Sequence, residues 1–207
     1  MRLAAISSLA VLTACSSAPS TPPVPADLSD AASVVAAARQ CDPADYEGMD
    51  TPDIGQPRFE GNPSQADRNA LEGSLYLERM ALQPCVYTLP SGLQFRILRS
   101  AGEDALTPEG GEVVRVHYDG QSIAGETFDS SYDRGAPAEF PSGRLIGGWV
   151  EALGLMRTGE EWELFIPPAL GYGERGTPGG PIGPNQTLYF RMELICLPSR
   201  EDGRCED

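Results

Sequence analysis

Apolar and polar residues alternate along three segments in the second half of the chain. One segment contains Val114, Val116 and Tyr118, and charged or polar residues separate them. Two later segments follow the same rule, with apolar rows Trp162, Leu164 and Ile166, and Leu188, Phe190, Met192 and Leu194. A period of two is typical of a β-strand with one buried face. We therefore predict three strands of one antiparallel sheet, with the intervening residues, Phe165 among them, facing outward.

Two segments before these strands have the composition or spacing of helices. Residues 31–39 are rich in Ala and Val, and Asp30 precedes them as a candidate N-cap. Residues 64–82 carry leucines at helical intervals, with Ser64 near the start. The stretch 42–63 between them is rich in Pro, Gly and Asp, which predicts an irregular connection.

A third helical segment lies between the first two strands. Trp149, Leu153 and Met156 recur at helical spacing and share one face, and Thr158-Gly159 is expected to end the helix. A helix lying on a sheet gives the apolar face of each element a partner. The pattern therefore predicts an α+β fold: a curved antiparallel β-sheet wrapped around one short α-helix, with an N-terminal helical extension.

The charge balance excludes several kinds of partner and site. The chain has 15 basic and 30 acidic residues, for a formal net charge of −15. An acidic surface repels nucleic acid, so we expect no nucleic-acid partner. Every basic residue is an arginine, which excludes a Schiff-base lysine and a P-loop lysine. His117 is the only histidine, so a histidine-rich metal site is impossible, and we expect neither a metal nor another cofactor.

Two groups of polar residues beside the strands are expected to have no part in the chemistry. Alternation points His117 away from the apolar row, so we assign it no catalytic role. Glu160, Glu161 and Glu163 are expected to form a solvated turn and strand edge.

The N-terminus has the features of an export signal. Residues 1–14 carry one arginine and then an apolar stretch too short to span a bilayer, which predicts a signal peptide. Leu12-Thr13-Ala14-Cys15 resembles the bacterial lipoprotein cleavage box, which implies lipidation of Cys15 and attachment to the membrane through this lipid. The serines after Cys15 resemble an outer-membrane sorting signal, which implies a periplasmic protein anchored to that membrane. Residues 15–30 are expected to form a flexible tether.

Four further cysteines predict two disulfides, since an even number in an exported chain favours pairing. Three pairings are possible, and we favour Cys41–Cys85 and Cys196–Cys205. The first would close a long loop around the N-terminal segment, and the second would join the acidic tail, 199–207, to the last strand. A zinc site is disfavoured because no C-x-x-C pair is present.

Several short motifs in the C-terminal half occur in a familiar order. They are Val116–Gly120, Phe128–Gly135, Leu145–Trp149, Leu170–Gly173 and Gly183–Leu188. In this order and spacing they resemble the binding-site signature of the FKBP-type peptidyl-prolyl isomerases. The helix before Leu89 and the residues that follow it resemble the join in the exported Mip and FkpA-like group. The resemblance implies an isomerase domain over 89–198, preceded by a helical and irregular extension over 31–88.

The resemblance also implies a shallow pocket for a proline ring. Trp149 would form its floor, and Asp129 and Tyr172 would be polar groups at its rim; we expect these three to be the catalytic residues. The expected substrate-binding walls are Tyr118, Phe128, Phe140, Leu145, Ile146, Ile182 and Phe190. Arg134 is the expected partner of Asp129. Ala138 stands where many family members carry an aromatic residue, which would widen the pocket and weaken binding of macrolide inhibitors.

The resemblance thus implies a peptidyl-prolyl cis-trans isomerase that assists the folding of exported proteins and takes proline-containing polypeptides as clients. The alternative is a non-catalytic FKBP-like chaperone or binding module in the cell envelope, which would use the same groove without turnover. In the Mip-like group the N-terminal helical region forms a dimer. Here that region is shorter and contains cysteine, so both a monomer and a dimer remain open.

Overall fold

The computed structural model describes residues 21–49, 53–200 and 205, and in them the chain forms three α-helices and seven β-strands. The helices are α1 (Ala31–Ala38), α2 (Gln65–Ala81) and α3 (Gly147–Leu153). The strands are β1 (Tyr87–Thr88), β2 (Gln94–Arg99), β3 (Val113–Ser122), β4 (Thr127–Ser130), β5 (Ala138–Pro141), β6 (Glu161–Ile166) and β7 (Leu188–Cys196). This mixture of helices and antiparallel strands confirms the predicted α+β class.

Several sequence-based expectations lie outside the described residues. They concern the signal peptide 1–14, lipidation of Cys15, the first part of the tether and most of the acidic tail. No helix within the described residues is both long enough and apolar enough to cross a membrane.

The seven strands form one antiparallel sheet in the order β1-β2-β6-β7-β3-β4, with β5 paired to the first half of β3. The long strands β3 and β7 lie side by side, with Tyr118 opposite Met192 and Gly120 opposite Phe190. Because side chains alternate between faces, this register places Tyr118 and Phe190 on the same face of the sheet. That face carries the core.

The three predicted inward rows form the centre of the core. Trp162, Leu164 and Met192 are each 0% exposed, and the Trp162 ring stacks on Phe95 with centroids 4.6 Å apart. Helix α3 covers this face, and its residues Trp149, Ala152 and Leu153 are buried there. Full burial of one large apolar side chain contributes roughly 1.5–3 kcal/mol, so these rows are a major source of the domain's stability.

Helix α3 ends earlier than the sequence pattern indicates. The last helical residue is Leu153, with Gly154 at the C-cap, whereas the prediction continued to Thr158-Gly159. The Thr158 amide donates to the Leu106 carbonyl, and the Gly159 amide donates to Leu194, so neither can stay in a helical hydrogen-bond ladder. Met156 is 0% exposed although it lies after the helix, which explains why it completed the helical pattern.

The two N-terminal helices begin at the predicted caps. The Asp30 side chain accepts hydrogen bonds from the first turn of α1, and Ser64 forms a capping box with Asp67 at the start of α2. In its described residues, the connection predicted to be irregular contains one short 3-10 turn at Pro43–Tyr46.

Helix α2 packs against its own domain on the outer face of the sheet. Its Tyr76 ring lies 6.1 Å from Phe165, and Phe165 is only 2% exposed. Strand alternation places it on the outer face correctly, but the helix covers that face.

The expectation of a solvated edge at the three glutamates was also wrong. Glu160 is 0% exposed, and its carboxylate accepts hydrogen bonds from Arg39 and from the Trp162 indole. Glu161 pairs with arginines on β2 and β7, and Glu163 pairs with an arginine on β2. Strand β6 lies inside the sheet between β2 and β7, so its polar side chains have charged neighbours on both sides.

The described residues contain two disulfides, and they are the two pairs favoured from the sequence. Cys41–Cys85 has an S–S distance of 2.02 Å and joins the segment after α1 to the segment before β1. Cys196–Cys205 joins the last residue of β7 to the tail nine residues later.

Candidate functional site

A cavity of about 800 Å³ opens between helix α3, strand β3 and the loop that precedes β7. All the residues proposed for the site from the sequence line it, namely Tyr118, Phe128, Asp129, Phe140, Leu145, Ile146, Trp149, Tyr172, Ile182 and Phe190. The other lining residues are Arg144, Gly147, Gly171, Thr177 and Pro181. The structure thus brings together residues that are up to 72 positions apart in the chain, from Tyr118 to Phe190.

Aromatic rings form the floor of the cavity. Trp149 is 4% exposed, and its ring meets those of Tyr118, Phe140 and Phe190 edge to face, at centroid distances of 5.0, 6.0 and 5.2 Å. Phe128 meets Phe190 in the same way at 5.5 Å. Edge-to-face pairs are a favourable geometry for aromatic rings, so each ring fixes the position of the next. The floor is an aromatic surface that keeps water away from whatever lies on it.

Packing of α3 against the sheet depends on a glycine. Gly148 is buried, and a Cβ atom there would lie 2.9 Å from the Ile166 side chain. Real Cβ atoms essentially never approach that closely, so only glycine lets the first turn of α3 come this near to β6. The next residue along α3 is Trp149, which forms the floor.

A charged and hydrogen-bonded group forms one side of the rim. The Tyr118 hydroxyl donates to the Asp129 carboxylate at 2.7 Å, and Arg134 donates to the Tyr118 hydroxyl at 2.7 Å. Arg134 also forms the predicted ion pair with Asp129, and its guanidinium lies 5.3 Å from the centre of the Tyr118 ring. Burial, together with donation to Asp129, raises the pKa of Tyr118 above its usual value near 10. The hydroxyl therefore stays protonated and keeps Asp129 in place at neutral pH.

The turn that carries Asp129 and Arg134 is held by Ser131, which sequence reasoning missed. Ser131 is 0% exposed, its hydroxyl accepts a hydrogen bond from the Tyr118 amide at 2.8 Å, and its amide donates to the Tyr118 carbonyl at 2.9 Å. His117 contacts the same hydroxyl at 2.8 Å through Nδ1 and stacks on Tyr132 with centroids 4.5 Å apart. His117 lies outside the cavity lining, as the alternation indicated.

The loop before β7 forms the opposite wall. The Thr177 hydroxyl accepts a hydrogen bond from the Ile182 amide at 3.1 Å, and the Thr177 amide donates to the Ile182 carbonyl at 2.9 Å. Gly176 has φ of 58°, and a Cβ there would lie 2.3 Å from the Ile182 carbonyl oxygen, so glycine is required. These contacts turn Ile182 toward the cavity and bury it to 5% exposure.

Tyr172 is the polar group at the open side of this wall. Its side chain is 40% exposed, and burial of the remainder, with the nearby charge of Asp129, raises its pKa. No hydrogen bond to its hydroxyl is formed within the described residues. A ligand in the cavity can therefore use this hydroxyl as a donor.

Support for the loop also comes from helix α2. The Asn69 side chain donates to the Pro184 carbonyl at 2.7 Å, and Gly73 lies directly against Thr187. These contacts join positions about 115 residues apart in the chain, and the local pattern around Asn69 carries no signal for them. The sequence-based site therefore lacked the part that α2 contributes.

Ala138 does not line the cavity. It lies on β5 opposite Val116 and packs against the core as a half-buried residue. The weaker macrolide binding that its small side chain implies remains a prediction.

Comparison with known proteins places these features in a family. Residues 105–195 match the family of FKBP-type peptidyl-prolyl cis-trans isomerases. The chain is 52% identical over 126 residues to the "FKBP-type 22 kDa peptidyl-prolyl cis-trans isomerase" of Escherichia coli, a match that covers 61% of this chain and 60% of that protein. It is 44% identical over 133 residues to the "Outer membrane protein MIP" of Legionella longbeachae, covering 64% of this chain and 56% of that protein.

A solved structure agrees with these matches. The crystal structure of FkpA from Escherichia coli aligns with a TM-score of 0.59 at 38% identity, covering 64% of this chain and 60% of that one. The chain thus spans less than two thirds of the length of these relatives. The fold, the matched residues and the relatives agree that residues 105–195 form a domain of the FKBP-type peptidyl-prolyl cis-trans isomerase family, similar to the domains of Mip and FkpA.

Proposed function

We propose that this protein is a peptidyl-prolyl cis-trans isomerase that binds prolyl segments of unfolded polypeptides in the cavity over Trp149. One observation carries the proposal: an apolar aromatic floor lies beside a fixed carboxylate at Asp129 and an accessible hydroxyl at Tyr172. A proline ring suits the floor, and the amide groups beside it suit the polar rim. The family membership supports the same reaction.

The reaction requires no bond to be made or broken. Rotation about an X–Pro peptide bond has a barrier of roughly 18–20 kcal/mol, which comes from amide resonance. The cis and trans forms differ by only about 1 kcal/mol, so unfolded chains populate both. A site accelerates the rotation if it binds the twisted amide more tightly than either planar form.

The residues of the cavity can act on the twisted amide in two ways. The ring floor over Trp149 removes the water that stabilises the planar, charge-separated amide, which lowers the barrier to rotation. The Tyr172 hydroxyl and the Ile146 backbone amide can donate to the substrate carbonyls. Asp129, held by Tyr118 and Arg134, aligns the groups beside the amide. The proposed reaction needs neither a metal nor a nucleotide.

An assay with short X–Pro peptides tests the proposal on the purified full chain. We expect isomerisation above the uncatalysed rate in buffer containing a chelator. Asp129→Ala should lower kcat by roughly ten- to a hundredfold, because loss of one hydrogen bond specific to the twisted state costs on the order of 1–3 kcal/mol. Trp149→Leu should mainly raise KM, since it removes apolar floor.

The matched control is Asp119→Asn, which removes one carboxylate charge from the same region outside the cavity. It should keep the wild-type rate. Both cavity variants must show a native far-ultraviolet dichroism spectrum and a cooperative urea transition, because Trp149 also belongs to the core. Folded wild-type protein that binds prolyl peptides without accelerating isomerisation would instead establish the binding-module alternative. Full activity in Asp129→Ala would show that Asp129 only forms a turn ion pair with Arg134.

We further propose that the protein is a periplasmic lipoprotein anchored through Cys15 that assists the folding of exported clients. The Leu12-Thr13-Ala14-Cys15 box supports this, and so do two disulfides, which persist in oxidising compartments. A relative named as an outer membrane protein favours the same location. Cys15→Ser should move the protein from the membrane to the soluble fraction, and a mutant that still sediments with membranes would contradict the anchor.

A further inference from the structure

The cavity contains a cation that has no partner within the described part of the chain. Two charged residues line the cavity, Asp129 and Arg144. Asp129 is neutralised by its ion pair with Arg134. Arg144 is exposed, at the end of the short 3-10 turn before Leu145, and it forms no ion pair or hydrogen bond with the described residues. A ligand in the cavity therefore meets one net positive charge.

Two acidic residues on the segments that flank Arg144 already have partners. Glu139, on the preceding strand, pairs with Arg115 at 2.8 Å. Glu112, whose carbonyl accepts the Ser142 amide just before Arg144, pairs with Arg200 at 2.8 Å. In a chain with a formal net charge of −15, an arginine left unpaired beside two paired glutamates is available for a ligand.

We propose that Arg144 selects prolyl peptides that carry a carboxylate within two residues of the proline. This inference rests on the proposed function, and it adds the substrate class. Arg144 directly precedes Leu145 and Ile146, which line the wall, and the Ile146 amide is a proposed donor to the substrate carbonyl. A residue adjacent to the bound proline therefore lies within reach of the guanidinium. A guanidinium suits a carboxylate because its N–H groups match the two oxygens.

The attraction between Arg144 and a peptide carboxylate acts at short range. The overall negative charge repels an acidic peptide at a distance, but physiological salt screens that repulsion beyond about 8 Å. Within the cavity the peptide meets Arg144, while the charge of Asp129 is balanced by Arg134. An exposed ion pair of this kind gives a preference of about two- to fivefold.

Matched peptides that differ only by Glu or Gln measure the preference. Each of the two positions before the proline and the two after it is tested, and kcat/KM is compared within each pair at low and high salt. We expect the Glu peptide to be favoured about two- to fivefold at one of these positions at low salt, with the ratio falling toward one at high salt. Arg144→Gln should bring the ratio to about one, and Arg144→Glu should invert it.

Arg58→Gln is the control, because it removes the same charge from an exposed arginine outside the cavity and should keep the wild-type ratio. A wild-type ratio of one at all four positions, or a ratio that Arg144→Gln leaves unchanged, would overturn the inference. If no peptide is isomerised, the proposed function fails. The same peptide pairs titrated by tryptophan fluorescence then still measure the preference as a ratio of Kd values, and equal or undetectable binding would overturn the inference as well.

Discussion

Replacing Gly73 with alanine should weaken the contact through which helix α2 supports the wall of the cavity. Gly73 is the buried residue of α2, and a Cβ atom there would lie 2.3 Å from the Thr187 hydroxyl oxygen and 3.0 Å from the Thr187 Cβ. Thr187 is 1% exposed and directly precedes β7, so it has little room to move. Either the helix or the loop that carries Ile182 must shift.

Two opposing effects determine how much Gly73→Ala changes the free energy of unfolding. Extra volume in a packed contact costs typically about 1–3 kcal/mol. Glycine to alanine within a helix stabilises by about 1 kcal/mol through helix propensity alone. We therefore expect Gly73→Ala to change the free energy of unfolding by roughly 0–2 kcal/mol in the destabilising direction. For a protein of this size the melting temperature would fall by a few degrees, at about 2–4 °C per kcal/mol.

Thr187→Ala should rescue part of this loss. The Thr187 hydroxyl is buried and has no hydrogen-bond partner among the described residues, so its removal leaves no donor unpaired. Urea unfolding of both single variants and the double variant gives the coupling free energy, which we expect to be about 1 kcal/mol in the favourable direction. Ser74→Ala, at the next and exposed position of α2, is the control and should stabilise slightly. Gly73→Ala that stabilises as much as helix propensity predicts would refute the reasoning.

Two further predictions follow from the site and the disulfides. Because the pKa of Tyr118 is raised, its hydroxyl donates a hydrogen bond to the Asp129 carboxylate at any pH below that pKa. This hydrogen bond is lost as the pH rises through the pKa of Tyr118. The pH profile of kcat/KM should therefore show no loss from this group up to about pH 10, and a decline assigned to Tyr118 near neutral pH would contradict it. In the chain-entropy model, replacing the Cys41–Cys85 pair, which has a separation of 44 residues, by serines should cost about 4 kcal/mol. Replacing the Cys196–Cys205 pair, with a separation of 9, should cost roughly 2.5 kcal/mol, and urea unfolding that reverses this order would contradict the model.

The local pattern of apolar residues was sufficient to predict which side chains lie on the inner face of the sheet. The period of two placed Val116, Trp162 and Phe190 on one face, because burial of that face determines which residues can occupy it. The same pattern could not show that the outer face at Phe165 is covered, since the covering helix is distant in sequence. The helical spacing of apolar residues also extended the predicted α3 to Met156, because a buried residue after the end of a helix can match the helical interval by chance.

The residues of the cavity were predicted from motifs rather than from periodicity. A row of aromatic residues on the inner face of a sheet usually belongs to the core. The short motif around Asp129 indicated that these residues also form a binding site. Arg144 was missed because a single exposed arginine in a short turn carries no periodic signal. Asn69 was missed because its contact with Pro184 exists only after α2 has packed on the domain.

These distant contacts bear on the predicted domain boundary at Leu89. Residues 89–198 contain every residue that lines the cavity, but they do not contain all of the groups that support it. Arg39 donates to both oxygens of the Glu160 carboxylate, at 2.8 and 3.3 Å, and Glu160 is 0% exposed. Asn69 holds the loop of Ile182 through Pro184, and strand β1 precedes the boundary. A chain that begins at Leu89 loses all three.

We therefore expect truncation at Leu89 to destabilise the domain strongly. Glu160 is fully buried and Arg39 is 20% exposed, so losing Arg39 should cost up to the roughly 3–5 kcal/mol that is typical of a buried ion pair, because the Glu160 charge remains buried. That is a large share of the roughly 5–15 kcal/mol that stabilises a typical domain. Arg39→Met in the full chain isolates this contribution, and its urea midpoint should lie between those of the wild type and the truncated chain. If the truncated chain unfolds at the same urea midpoint as the wild type, the extension adds no stability to the domain, and another group satisfies the Glu160 carboxylate.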